Sequence, residues 1–360
     1  MRKVHISSAR SGDVLGKPIW SANGTILLGV GVKLSDRYIE LLKSYGIDYL
    51  YLEDQFTSDI IPENIIRDET RKKAVETVYK TMVDLTKAPQ MKSKASNPMM
   101  GQTFDKIFSE IMIDIASRKD MLISLSNLHL KEGYLFHHSV NVAILAGILG
   151  VAKGYNRTRL MELGVGALLF DVGMTVFPDE LWQKSTDFTN EQKERIKNHT
   201  EEGYNLLRKQ FDISLVSAHC ALQHHERFDG TGYPRGLKGK EIHEFAQIVA
   251  IADVFDALTS PRSYRHAYSQ SEAIEFLYAN GNQWFDIELI RIFCSHIALY
   301  PIASTVLLNT GQVGVVASIN PLASNRPVIR IIQEPDGSAV RSAYEVDLSQ
   351  QINLTIQKTL

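Results

Sequence analysis

The sequence predicts a mainly α-helical protein: a helical bundle domain with a small N-terminal α+β module and a short C-terminal β element. Between about residues 122 and 300, helix-like segments follow one another with short connections. Both ends of the chain instead carry short β-branched or alternating runs next to Gly and Pro. The predicted units are an N-terminal module at 1–55, a helical linker region at 56–120 with a flexible loop at 88–102, a helical domain at 121–303 and a β element at 304–360.

The N-terminal module has the local signals of a hairpin, a helix and a strand. Asn23-Gly24 precedes the run at 26–28, and an Asn-Gly pair is a strong hairpin signal. Ser35 can cap a short helix over 36–44. The run at 49–52 then reads as a strand.

The linker region predicts amphipathic helices on either side of a polar loop. Beyond Pro62, apolar residues recur at helical spacing at Val75, Val78, Met82 and Leu85. Residues 88–102 are polar and contain Pro and Gly, which favours a loop, and helical spacing returns at Phe104. The simpler interpretation of the segment at 64–87 is that it packs onto the following domain. The alternative is that it pairs two chains into a homodimer.

Composition excludes some classes of protein. The chain has 360 residues, 44% hydrophobic residues and a formal net charge of −2, so no basic face for duplex DNA or RNA is expected. Its two cysteines are too few for a disulfide framework. The N-terminus has no signal-peptide pattern, and the longest apolar run, 142–152, is too short for a membrane span. These observations favour a cytoplasmic location.

Six residues of metal-ligand type recur through the helical region. Neutral imidazoles and carboxylates suit Fe, Mn or Zn, and a mixed set can hold one or two divalent ions. Two ions stabilise both the attacking and the leaving oxygen in displacement at phosphorus. The six are His138 at the opening of a predicted helix, Asp171, His199, His224, His225 and Asp253.

Each of these residues also has an ordinary interpretation. A single histidine is more often a surface or core residue than a ligand, and Asp171 before Gly173 fits turn chemistry. Asp256, three residues after Asp253, can bond a neighbouring backbone group. The adjacent pair His224-His225 favours a metal site, because packing does not explain it.

Two motif blocks resemble the HD-GYP domains, a group of HD metal-dependent phosphohydrolases that open cyclic di-GMP. The first block, at 224–234, reads His-His-Glu-Arg-Phe-Asp-Gly-Thr-Gly-Tyr-Pro. The second, at 251–265, reads Ile-Ala-Asp-Val-Phe-Asp-Ala-Leu-Thr-Ser-Pro-Arg-Ser-Tyr-Arg. The resemblance covers about residues 120–300 and implies an HD-type helical bundle for the central domain.

The resemblance also implies roles for individual residues. One divalent ion would be held by Asp171, His199, His224 and His225. Asp171 would bridge to a second ion, which would be held by His138 and Asp253. Asp171 and Asp253 would thereby act in catalysis. The cyclic di-GMP or a related nucleotide would face Tyr233, Arg262 and Arg265, and Gly232 is expected to adopt an unusual backbone angle beside that tyrosine.

The chain departs from the family pattern where the family carries His-Asp-x-Gly-Lys. Phe170 stands in place of the histidine and Met174 in place of the lysine, while Asp171 and Gly173 are kept. Tyr134 also stands where some members carry an acidic residue. Losing one preorganised electrostatic group commonly lowers a rate by about 10²–10³-fold.

The sequence therefore predicts a protein that binds metal, and a cyclic di-GMP ligand, with weakened or lost hydrolysis. Two alternatives are a fully active cyclic di-GMP phosphodiesterase and an HD hydrolase that acts on another phosphoester. A signalling role implies a protein partner that the sequence does not identify.

Overall fold

Helices dominate the middle of the chain and strands dominate both ends, which confirms the mainly α fold. A computed structural model describes residues 1–21, 23–87, 99–117, 128–129, 133–178, 189–260, 267–320 and 323–360. The helices are α1 (Asp36–Ser44), α2 (Asp68–Lys87), α3 (Met100–Ala116), α4 (Tyr134–Ala152), α5 (Arg157–Leu169), α6 (Asn190–Lys197), α7 (His199–Leu207), α8 (Leu215–Gln223), α9 (Glu244–Thr259), α10 (Gln270–Ala279) and α11 (Ile287–Cys294). The strands are β1 (Arg2–His5), β2 (Ile19–Trp20), β3 (Ile26–Leu28), β4 (Tyr49–Leu52), β5 (Leu128–His129), β6 (Thr305–Leu308), β7 (Val313–Ser318), β8 (Val328–Gln333), β9 (Ala339–Asp347) and β10 (Ile356–Thr359).

The N-terminal elements form as their local signals predict. The side chain of Ser35 accepts a hydrogen bond from the backbone N–H of Tyr38, and α1 begins at the next residue after this cap. Strands β2 and β3 pair antiparallel, which confirms the hairpin around Asn23-Gly24. Strand β1 pairs antiparallel with β4.

Helix α2 buries its apolar face within the same chain. Val75, Val78 and Met82 are at most 1% exposed and belong to the main apolar core, which also contains residues of α3 and α4. The simpler interpretation of this segment is therefore confirmed, because intramolecular packing already uses the face that would pair two chains.

Helix α3 begins earlier than the sequence predicts. It includes residues 100–102, so the predicted loop is wrong for these three; residues 88–98 lie outside the described part of the chain. The cause is a distant residue: the backbone N–H of Gln102 donates to Asp212 Oδ2 at 3.1 Å. A Cβ on Gly101 would lie 2.0 Å from the Asp212 carbonyl oxygen, so only glycine allows this approach.

Helix α4 is the core helix of the central domain. Among the described helices it alone is long and apolar enough to span a membrane by length and composition, yet 89% of that window is buried inside the protein. It begins at Tyr134, so the prediction that a helix opens at His138 is wrong by about one turn. His138 consequently lies in the second turn, facing α9.

The C-terminal strands form one antiparallel sheet in the order β10-β6-β7-β8-β9. This sheet joins the N-terminal module through β1, because Lys3 N donates to Ala303 O at 2.7 Å and Thr305 Oγ1 donates to Lys3 O at 2.7 Å. Arg330 adds ion pairs to Asp59 and Glu345. The two ends of the chain therefore pack together beside the helical domain.

Candidate metal centre

Three histidines converge where α7 begins and α8 ends. One nitrogen from each of His199, His224 and His225 lies within 4.8 Å of the other two. The Nε2 atoms of His199 and His224 are 3.2 Å apart. Asp171 Oδ1 lies 3.4 Å from Nε2 of His199 and 3.5 Å from Nε2 of His224. This donor set of imidazoles and one carboxylate fits a divalent ion of the Fe, Mn or Zn class.

Backbone carbonyls fix the orientation of two of these rings. His199 Nδ1 donates to Ile196 O at 2.6 Å, and His224 Nδ1 donates to Cys220 O at 2.9 Å. Since each Nδ1 carries the donated proton, each ring in its neutral form presents the lone pair of Nε2 to the cluster. Such partners of the second ring nitrogen are typical of metal-binding histidines.

The charge states suit a cation. Burial lowers the pKa of His199, and burial together with the neighbouring His224 holds the pKa of His225 well below its usual value. Burial opposes ionisation of Asp171, but its hydrogen bond to His224 and the nearby imidazoles outweigh it and lower the pKa of the carboxyl. Burial lowers the pKa of His224, but its hydrogen bond to Asp171 outweighs burial and raises that pKa. Around neutral pH, the cluster thus offers two neutral imidazoles, His199 and His225, and an ionised carboxylate, and an ion that binds at His224 Nε2 would displace the proton of that bond.

Two glycines bring Asp171 to the histidines. Asp171 precedes a 3₁₀ turn at Val172–Val176, and this turn packs against the first turns of α7. A Cβ on Gly173 would lie 1.9 Å from His199 O and 2.6 Å from Gly203 N. Direct backbone contact, which only glycine permits, therefore sets the position of Asp171 relative to His199.

The other predicted ligands form a second group. His138 Nε2 lies 2.9 Å from Asp253 Oδ1, and these two residues are the ones predicted to share an ion. His138 Nδ1 lies 2.6 Å from Asp256 Oδ2. The ordinary interpretation of Asp256 is wrong, because its carboxylate binds the side chains of His138 and Asn141 instead of nearby backbone. Asp256 binds Nδ1 of His138 and so orients this ring, as the backbone carbonyls of Ile196 and Cys220 orient the rings of His199 and His224.

Phe170 lies between the two groups. Its side chain is fully buried, and its ring centroid is 5.0 Å from that of His224 and 5.6 Å from that of His138. Met174 is half-buried and packs against the main core. An apolar ring thus fills the space between the two groups.

The loop after the adjacent histidines holds a tyrosine over the cluster. Glu226, 3% exposed, accepts hydrogen bonds from Arg235 N at 2.7 Å and Leu237 N at 2.9 Å. These bonds fold the loop back, so that Tyr233 stacks on His225 with centroids 4.8 Å apart. Burial and the negative charges of the two aspartates of the site raise the pKa of Tyr233, which keeps its hydroxyl protonated.

Gly232 serves this loop differently from the prediction. Its φ is outside the left-handed region, so the expectation of an unusual backbone angle is wrong. A Cβ there would lie 2.3 Å from Arg227 N and 2.5 Å from His225 O. Glycine is required because the loop crosses directly over the backbone of residues 225–227.

The remaining predicted ligand-binding residues, Arg262 and Arg265, lie outside the described residues. Sequence reasoning missed the supporting residues Asn141, Asp256 and Glu226. The sequence signals for them were that Glu226 lies inside the first motif block and Asp256 inside the second.

The His138 group has a pH dependence of its own. Burial lowers the pKa of His138, but the bonds to Asp253 and Asp256 outweigh it and raise the pKa to about 9. A cation at Nε2 must then displace a proton, so its affinity should rise about tenfold per pH unit from pH 7 and level off above pH 9. Titration with Mn²⁺ at pH 7.0, 8.0 and 9.0 measures this, and a Mn²⁺ affinity of the His138 group that stays flat over the range would contradict it.

Comparison with known proteins finds two family models. The model described as HD domain matches residues 110–289, half of the chain. The model described as KOW domain associated with HD domain matches residues 305–360.

Curated relatives match about 40–60% of this chain. A cyclic di-GMP phosphodiesterase of Pseudomonas aeruginosa, PA4108, is 32% identical over 222 residues, which cover 60% of this chain and 53% of that protein. The 3'3'-cGAMP-specific phosphodiesterase 1 of Vibrio cholerae is 36% identical over 147 residues, covering 41% of this chain and 34% of that protein. The chain thus spans about half or less of the length of these relatives. A solved structure, Bd1817, a HDG"Y"P protein from Bdellovibrio bacteriovorus, is 18% identical with a TM-score of 0.49, covering 81% of this chain and 97% of that one.

Proposed function

The chain belongs to the HD domain family, and its similarity to cyclic di-GMP phosphodiesterases supports its assignment to the HD-GYP group; from that premise we propose that it binds a divalent ion and a cyclic dinucleotide, while its hydrolysis of the phosphodiester is weakened or lost. The observation that carries the proposal is the buried ring of Phe170 between the two groups of candidate ligands. A phenyl ring supplies no ligand atom and keeps water out of the gap that it fills.

The two groups would hold ions unequally. His199, His224, His225 and Asp171 offer four ligand atoms on rings and a carboxylate that are already oriented. His138 and Asp253 offer two, and His138 must first give up a proton that two carboxylates stabilise. A bound divalent ion would supply positive charge to stabilise phosphate oxygens during displacement.

The side chains around the first group would receive the nucleotide. The half-buried ring of Tyr233 can stack on a base, and Lys197 Nζ lies 5.5 Å from the centroid of that ring. Arg262 and Arg265 would contact the phosphates, as the resemblance implies. The ligand we propose is cyclic di-GMP, the substrate that the name of the first relative states; the name of the second makes 3'3'-cGAMP the alternative.

Three measurements on one preparation of the protein test the proposal. Metal analysis of protein purified without chelator should find about one tightly held ion per chain. Titration with cyclic di-GMP should saturate, and chromatography after incubation with Mn²⁺ or Fe²⁺ should find little linear product. Two tightly held ions with rapid turnover would instead establish the fully active phosphodiesterase, and absence of binding together with turnover of another phosphoester would establish the third function.

We further propose a cytoplasmic location and a protein partner in second-messenger signalling. Support for the location is that the one apolar helix of membrane-spanning length among the described residues is mostly buried. The reason for proposing a partner is that a chain that binds the nucleotide with little turnover would signal through another protein that recognises the ligand-bound state.

A further inference from the structure

A buried arginine from α2 reaches the His138 group of the metal centre. We propose that Arg71 is a positioning residue, which fixes the orientation of Asn141 and Asp256 and through them holds the ring of His138. The inference rests on the proposed function only in taking His138 as a metal-holding side chain. Arg71 lies before residues 110–289, so the network joins a helix outside the matched family domain to the centre of that domain.

The burial of Arg71 requires an explanation. Its residue is 1% exposed, among the largest fully buried side chains of the described chain. Arginine is almost never fully buried unless it is paired, because the charge loses its hydration. The Arg71 guanidinium donates from Nη1 to Asn141 Oδ1 at 2.8 Å, on the inner face of α4.

The chemistry of arginine sets the direction of the next bond. A guanidinium only donates, so the Asn141 side chain must turn its carbonyl oxygen toward Arg71. Its Nδ2 then points the other way, where it donates to Asp256 Oδ1 at 2.9 Å. The reversed amide would set donor against donor at Arg71 and oxygen against carboxylate at Asp256, so Arg71 selects one of two orientations.

The last bond reaches the candidate ligand. With Oδ1 bound to Asn141, Asp256 presents Oδ2 to His138 Nδ1 at 2.6 Å. This bond turns the opposite ring nitrogen, Nε2, toward Asp253 Oδ1 at 2.9 Å. Loss of such a residue behind a metal-binding histidine typically weakens metal affinity by 10–100-fold.

The test uses Arg71→Met, which keeps most of the length but removes the donors. Proton NMR of the metal-free protein should show a low-field signal for the short bond between His138 Nδ1 and Asp256, identified by its loss in His138→Gln. In Arg71→Met this signal should shift or vanish, while the signal of His224 Nδ1, which donates to Cys220 O, should stay. Mn²⁺ affinity of the weaker site should fall by about 10–100-fold, with the tighter site unchanged.

Matched variants separate positioning from folding. Lys72→Met removes an exposed charge from the next residue of α2 and should leave both signals in place. Arg71→Lys restores a donor and should recover part of the His138 signal. If Arg71→Met does not fold, Asn141→Ser breaks the same network without touching Arg71 and should give the same selective loss.

An unchanged His138 signal in either Arg71→Met or Asn141→Ser would overturn the inference. That result is independent of the proposed function, because the NMR signal is read without metal, nucleotide or turnover. Conversely, rapid turnover by the wild-type chain would refute the proposed function and leave this test intact.

Discussion

Replacing Phe170 by His and Met174 by Lys together should raise the rate of cyclic di-GMP hydrolysis by about 10²–10³-fold. The imidazole would enter the gap between His138 and His224 that the phenyl ring now fills, and it would give the second group a third ligand. The lysine would return a cation to the 3₁₀ turn that carries Asp171. The rate is measured by chromatography of the linear product, and metal analysis should find the content rising from about one ion to two per chain.

A single variant and a control that only opens space separate the effect of the restored ligand from that of the restored cation. Phe170→His alone should raise metal content more than rate, because the ligand returns without the cation. Phe170→Leu opens the gap without adding a ligand and should change neither. Should the double variant hold two ions and stay inert, our proposal that Phe170 and Met174 weaken hydrolysis would be wrong.

Replacing His224 by Gln should remove the tightly held ion. Glutamine retains most of the volume and a polar end, but it loses the imidazole lone pair that faces His199 Nε2 and Asp171. Metal content after gel filtration should fall from about one ion per chain to near zero. The stabilisation by added ion should disappear with it; for a site at 100 times its Kd, this is about 2.7 kcal/mol of the free energy of unfolding.

His219, on the helix α8 that His224 directly follows, provides the matched control. It is half-buried, stacks with His243 and lies outside the three-histidine cluster, so His219→Gln should keep the ion and its stabilising effect. A His224→Gln protein that retains the ion through gel filtration would refute the assignment of this cluster.

The sequence predicts those elements whose causes are local. Helix α1 begins and ends where Ser35 and the run at 36–44 indicate, because a cap and a periodic segment act within a few residues. The strand at 49–52 is equally local. The start of α3 was missed because Asp212, more than 100 residues later, accepts a hydrogen bond from the backbone N–H of Gln102 in the first turn of that helix.

The C-terminal sheet shows a different limit. Strands β6 to β8 contain β-branched runs, but β9 alternates exposed polar positions with only a few buried ones. An edge strand with one buried face carries a weak apolar signal. Its pairing with β8 comes from tertiary context rather than from its own composition.

At the metal centre, the motif blocks led to the residues that point inward. The structure brings His199, His224 and His225 together near Asp171, and brings His138 next to Asp253. The supporting residues were harder to foresee. Arg71 looks in the sequence like one more charge on an amphipathic helix, and only the packing of α2 on α4 reveals that it is buried.

The backbone contact at Gly173 limits the ways in which such a centre can decay. Positions 170 and 174 carry side chains that the surrounding core accepts as apolar groups, so a histidine and a lysine there can be exchanged while the fold persists. Position 173 has no such freedom, since any side chain would meet the carbonyl of His199 at 1.9 Å. Substitutions on either side of this glycine can therefore change the side chains offered to the site, while Gly173 keeps Asp171 beside His199.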